Sequence, residues 1–250
     1  SNNGGKNWSP FQLNLPLTPI TDLRVHQNNL IAATSGRSFW ILDDLNMVRQ
    51  FKADSTAIKL YNPSNTLLAT GYSELDNNDA SFTGAKTNAG VNPATGMVLY
   101  YQLPTLHDSV ELTLEIRNAA GQLVRSFSSK ADENYKRYDG GPRREPTLSK
   151  SKGLNRFVWN LRHATTTAIP YVYIESSFNG HKVIPGSYSI KLIAGSTSVS
   201  TTGTVLANPN YTTTAADYQL YDEVMTKMEK TVSEMHQMVN ELKDNSNRLE

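Results

Sequence analysis

The chain has 250 residues, 38% of them hydrophobic and none of them cysteine; this length holds one large domain or two ordinary ones. Without cysteine there is no disulfide, no thiol nucleophile and no Cys–zinc site. Lys and Arg total 24 against 23 Asp and Glu, so no charge bias draws the chain to nucleic acid or an anionic membrane, and no apolar run reaches the length of a membrane span.

Residues 1–58 read as short strands and tight turns. Phe11-Gln12-Leu13-Asn14-Leu15 alternates until Pro16 ends it. Residues 20–26 alternate again, with Ile20, Leu23 and Val25 as the apolar set, and Asn28-Asn29 is expected to make the turn because Asn tolerates positive φ. Residues 30–34 read as a buried strand, and Gly36-Arg37 turns the chain into residues 38–43. Strands joined in this way form an antiparallel meander, the construction of a propeller blade. Residues 59–95 differ: Asn, Ser, Thr, Gly and Ala dominate 72–96 with no sustained period, which reads as a linker or long loop.

Strands return over 96–208. Residues 97–103 form one. Leu112, Leu114 and Ile116 alternate with Glu111, Thr113, Glu115 and Arg117, and Asn118-Ala119-Ala120-Gly121 turns into 122–127, which makes a hairpin with one wet face. A basic Gly/Pro-rich loop covers 130–152; its Lys136, Arg137, Arg143, Arg144, Lys150 and Lys152 read as solvated charge. Residues 155–161 place Phe157, Trp159 and Leu161 on one inward face, with Tyr188, Ile190 and Leu192 as the layer opposite. Strands at 188–193 and 198–206 complete about seven in this stretch, in keeping with an immunoglobulin-like or fibronectin-III-like sandwich.

Residues 213–248 are the one helical segment. Thr214-Ala215-Ala216-Asp217 caps it, with Asp217 at the positive end of the dipole. Tyr218, Tyr221, Met225, Met228, Val232, Met235, Val239 and Leu242 recur in alternating steps of three and four, which is a heptad seam. Packing of that seam against the rest of the protein is the first expectation. A partner-binding or self-pairing helix is the alternative, with Met225, Met228, Val232, Met235, Val239 and Leu242 as its contacts, since Met adapts to varied surfaces.

Two sets of residues carry a resemblance. Ser1-Asn2-Asn3-Gly4-Gly5-Lys6-Asn7-Trp8 resembles an Asp box, the S-x-D-x-G-x-T-W turn of sialidase-type and sortilin-type propellers, with Asn3 for Asp and Asn7 for Thr. Ser1, Asn3 and Gly5 would tie the turn, and Trp8 would pack into the blade. The run from Asn14 through Ala32-Ala33-Thr34-Ser35-Gly36-Arg37-Ser38-Phe39-Trp40-Ile41-Leu42-Asp43-Asp44 is similar to the last blade of Bacteroidetes-type exported proteins. Those proteins have a sortilin-like (VPS10-type) β-propeller and are often labelled BNR-repeat glycosyl hydrolases. Gly121 to Phe127, Lys152 to Arg162 and Pro185-Gly186-Ser187-Tyr188 resemble that family too, and also the immunoglobulin-like module of flagellar hook-capping proteins.

The resemblance implies a mainly β chain: the last blade over 1–58, a linker over 59–95, an immunoglobulin-like sandwich over 96–208 and a C-terminal amphipathic helix. It implies an exported protein, extracellular, on the cell surface or periplasmic, and the C-terminal part of something larger. The partners implied are the remaining blades and other envelope or secreted proteins.

No convergent catalytic set is legible. Asp43 and Asp44 are adjacent on a strand and point to opposite faces, so they cannot flank one glycosidic bond; a strand-ending turn is the expectation. Trp40 and Trp159 read as core. His26, His107, His163, His181 and His236 lack ligand spacing, so neither metal nor cofactor is expected. The leading expectation is a non-catalytic part acting in protein–protein or cell-surface interaction. The alternative is an accessory region of a secreted sialidase-like, glycosidase or peptidase-like enzyme whose active site lies upstream.

Overall fold

A computed structural model describes residues 1, 3–52, 56–68, 94–174 and 177–249. The protein is mainly β with one long C-terminal helix. It divides into two compact units, Ser1–Asp54 and Ser55–Glu250.

The first unit is an antiparallel meander of β1 (Ile20–His26), β2 (Asn29–Thr34) and β3 (Phe39–Leu42), followed by a short helix α1 (Leu45–Gln50). Gln27 and Asn28, both at positive φ, form the loop between the paired His26 and Asn29. The turn therefore sits one residue earlier than the Asn28-Asn29 expectation. Residues 11–15 are not a strand: Leu13 has φ 47°, and the Leu15 amide bonds back to the Gln12 carbonyl at 3.0 Å. The first residues do tie a polar knot. Ser1 Oγ accepts from the Gly5 amide at 2.8 Å, and Asn3 Oδ1 accepts from the Asn7 amide at 3.0 Å. Trp8, however, is 79% exposed and does not pack into the sheet. Trp40 is half-buried, and its indole N–H donates to the Arg37 carbonyl at 2.9 Å. Asp43 and Asp44 follow β3 rather than lying on it, and Asp44, in the left-handed region, is the N-cap of α1. α1 itself had no signal in the alternation of its neighbours.

The second unit contains two sheets over one core. One has the order β5 (Thr66–Leu67), β11 (Thr197–Leu206), β10 (Gly186–Ala194), β7 (Leu112–Arg117), β8 (Leu123–Ser128); the other has β4 (Lys59–Leu60), β6 (Met97–Leu103), β9 (Gly153–Trp159). All pairings are antiparallel except β11 with β5. Residues 59–60 and 66–67, inside the stretch expected as linker, are thus edge strands of this unit, and Thr201 donates to Asn62 Oδ1 between them. The low-complexity stretch 72–93 lies outside the described residues.

The inward alternation holds. Leu112, Leu114, Ile116, Tyr188, Ile190 and Leu192 from one sheet meet Met97, Leu99, Tyr101, Phe157 and Trp159 from the other. Phe127 lies edge-on to Phe157 at 4.7 Å between centroids, and Trp159 edge-on to Tyr188 at 5.3 Å. Trp159 has no solvent exposure, and its indole N–H donates to the Arg162 carbonyl at 3.1 Å, so burial leaves no orphan donor. The backbone of Gly96 passes so close that a Cβ there would lie 2.2 Å from the Trp159 carbonyl oxygen. The basic stretch 130–152 is a loop, with Arg143 and Arg144 exposed.

Helix α2 spans Ala215–Leu249; at 1.5 Å per residue it is about 52 Å long. Thr214 and Asp217 form its cap. The Asp217 amide donates to Thr214 Oγ1 at 3.2 Å, and the Thr214 amide donates to Asp217 Oδ2 at 2.9 Å. Among the described residues no helix is long and apolar enough to cross a membrane.

Candidate functional site

The site is where α2 meets the rest of the second unit, and it begins with a backbone pairing between residues 161–166 and 178–183. The His163 amide bonds to the His181 carbonyl at 3.0 Å, Val183 to Leu161 at 2.9 Å and Thr166 to Phe178 at 2.8 Å, with a bridge between Arg162 and Lys182. The close approach depends on Gly180. A Cβ there would lie 2.5 Å from the Ala164 carbonyl oxygen and 2.6 Å from the His163 backbone. The pairing sets His163 and His181 side by side, with rings 3.9 Å apart and 15° from parallel. Behind them, the buried Arg125 guanidinium donates to the His163 carbonyl and to Glu145.

α2 lays a polar stripe on this platform. The Glu229 carboxylate accepts twice from His181, from the backbone N–H at 2.6 Å and from Nδ1 at 2.8 Å. Asp222 Oδ1 lies 3.1 Å from His181 Nε2 and 3.3 Å from His163 Nε2. Further along, Ser233 Oγ accepts from the Thr167 amide at 3.3 Å, His236 Nδ1 donates to the Thr167 carbonyl at 2.7 Å and Asn240 donates to the Ala168 carbonyl at 2.9 Å. Positions 222, 229, 233, 236 and 240 follow a 3.6-residue period and form one helical face. His181 is only 4% exposed, so both its ring nitrogens are matched by carboxylates in a dry place. Burial, and next the adjacent His181 ring, pull the His163 imidazole below its usual range; the Asp222 and Glu229 carboxylates act in the opposite direction.

Beyond its first turns, where the Tyr221 ring lies edge-on to His181 at 5.6 Å between centroids, the heptad seam does not do the docking. Tyr221, Met228, Val232, Met235, Val239 and Leu242 are exposed, as are Leu220, Val224 and Met238 beside them. Only Tyr218 and Met225 are half-buried, Tyr218 against the core. No described residue of the helix is fully buried. Intramolecular packing of the seam, the first expectation from sequence, is therefore corrected: the polar stripe beside it turns inward, because the platform presents imidazole and backbone groups that need charged partners. Ser1, Asn3, Gly5, Trp8, Arg37, Trp40, Asp43 and Asp44 all belong to the first unit. Nothing in the sequence groups His163, His181, Asp222 and Glu229. The two histidines are joined through an irregular crossover, and the carboxylates read as ordinary helix charge.

No known protein family matches the chain, and no curated protein or solved structure matches it either.

Proposed function

We propose that this chain is a non-catalytic interaction module in which α2 is a presented helix whose apolar seam pairs with α2 of a second copy. The observation that carries this is the inverted docking: polar groups hold the helix to its own unit along most of its length, and the seam residues Met228, Val232, Met235, Val239 and Leu242 face solvent. Fully burying a Val, Leu or Met side chain is worth about 1.5–3 kcal/mol, so a stripe of such residues left in water is a strong drive to associate. The exposed flank at positions 217, 224, 231, 238 and 245 is Asp, Val, Thr, Met and Asn. A nearly neutral flank meets its own copy with little charge repulsion, the condition an isologous interface sets.

The first unit fits the same reading as the closing blade of a propeller in an exported protein. Ile20, Leu23, Val25, Phe39 and Ile41 on its three strands are exposed, and neighbouring blades would cover them. The two-sheet unit would then be an immunoglobulin-like spacer carrying α2.

Sedimentation velocity over a concentration series tests the pairing. The chain is expected to shift from monomer to dimer, and the double substitution Met228→Glu with Met235→Glu is expected to hold it monomeric with the melting temperature that the wild type has at monomeric concentrations. A wild-type chain that stays monomeric throughout, or a dimer indifferent to both substitutions, removes the self-pairing reading.

A further inference from the structure

We propose that His163, His181 and Asp222 bind one divalent transition-metal ion of the zinc type, which fastens α2 to the two-sheet unit. The ligand atoms of the three residues all lie within 4.8 Å of one another. Asp222 Oδ1 is 3.1 and 3.3 Å from the two Nε2 atoms. In a tetrahedral zinc site with bonds of about 2.0–2.1 Å, neighbouring ligand atoms are separated by roughly 3.3 Å. Three atoms with lone pairs, one of them anionic, converge on a partly dry point, and positive charge there satisfies all of them at once.

The surroundings are arranged as they are around metal-bound imidazoles. Glu229 accepts a 2.8 Å hydrogen bond from His181 Nδ1 and another from its backbone N–H. With Nδ1 engaged by Glu229, Nε2 is the ring nitrogen that faces Asp222 at 3.1 Å and would exchange that contact for an ion, and Glu229 takes the outer-shell carboxylate role seen at metal-ligating histidines. Arg125 holds the His163 backbone from behind, and Gly180 permits the approach of the two strands. Two imidazoles with one carboxylate suit zinc or its neighbours; calcium and magnesium take oxygen sets. Closing bonds on a single ion requires the rings to fan apart from their near-parallel stack, with coordination replacing the stacking contact. Three protein ligands leave a fourth position, and both His163 and Asp222 are partly open to solvent, so water completes the set.

The ligands come from two places, His163 and His181 from the platform and Asp222 from the helix. The ion would therefore act as a rivet at the end of α2 nearest its cap. This is independent of whether the outward seam has a partner.

The test is titration of the tag-free, EDTA-stripped full chain with Zn(II) by calorimetry, and with Co(II) followed by its visible d–d bands. One ion per chain, a tetrahedral Co(II) spectrum and a raised melting temperature with Zn(II) are expected. His163→Ala and Asp222→Asn should abolish stoichiometric binding. Because those changes also loosen the dock, Glu229→Gln is the companion variant; it keeps all three ligands and should weaken affinity about 10–100-fold. His107→Ala, at an exposed residue of the module, should change nothing. Absence of stoichiometric Zn(II) binding by the wild type, or binding undiminished in His163→Ala, overturns the proposal.

Discussion

Single residues carry large and separable effects in the second unit. Trp159 has no exposure and contacts Tyr188 across the core. Trp159→Ala removes that burial and leaves a cavity, so a loss of about 3–5 kcal/mol is expected in urea unfolding. Leu154 lies on the same strand but is exposed; Leu154→Ala should stay within about 0.5 kcal/mol. Gly180→Ala acts by sterics alone, since its new Cβ would meet the His163 and Ala164 backbone. Such overpacking typically costs about 1–3 kcal/mol, and the His163 and His181 ring signals in NMR should shift as the strands part. Tyr101 and Tyr188 respond to alkali. Burial raises both phenols well above their ordinary value, the Asp222 charge adds to this at Tyr188, and bonds to the Ser149 and Ile184 carbonyls partly offset it. The unfolded phenol ionises near pH 10 while the folded one stays protonated. The stability they contribute is therefore fully present below about pH 10 and lost as pH rises through the folded values. Tyrosinate absorbance should show ionisation arriving together with unfolding, and Tyr188→Phe should move that transition to higher pH.

At the scale of elements, period and turn chemistry made the regular parts legible. Leu112, Leu114 and Ile116 alternate in the sequence and are all buried. Thr214 and Asp217 announce the helix start that the cap makes. The heptad steps gave the helix its extent but not its orientation. The polar face at 222, 229, 233 and 236 looks like solvated charge until a histidine platform is placed opposite it. That platform depends on a pairing between 161–166 and 178–183 that has no alternating pattern, and on a glycine needed for close approach. Phe11 to Leu15 failed for the converse reason: alternation over five residues is too short a signal against the turn at Leu13. The bare sheet of the first unit has a dynamic consequence. β1 is exposed along its whole length, and Ala32, Leu45 and Met47 are the only buried hydrophobic residues described there. Amides of β2 should therefore exchange with solvent orders of magnitude faster than those of β6 and β10, which lie over the large core. Equal protection across the three strands would mean that the first unit has cover that its exposed side chains do not reveal.

For the whole molecule the two units differ in how much each can bury. The first has a single three-stranded sheet and a six-residue helix, below the size at which one core is ordinarily self-sufficient. The second packs eight strands in two sheets around aromatic and aliphatic layers. Separate cores predict separate transitions, so calorimetry of the intact chain should show the first unit melting at the lower temperature and the second melting cooperatively above it. The tryptophans allow the two to be told apart. Trp8 and Trp40 lie in the first unit and Trp159 in the second. In a Trp8→Phe, Trp40→Phe chain the remaining emission comes from Trp159, blue-shifted by its dry surroundings, and it should move only with the upper transition. Zn(II), bound where α2 meets the two-sheet unit, should raise that upper transition and leave the lower one in place, because a ligand stabilises only the unit whose folded state it binds. A single transition seen by calorimetry and by Trp159 emission alike would show instead that the two units fold as one.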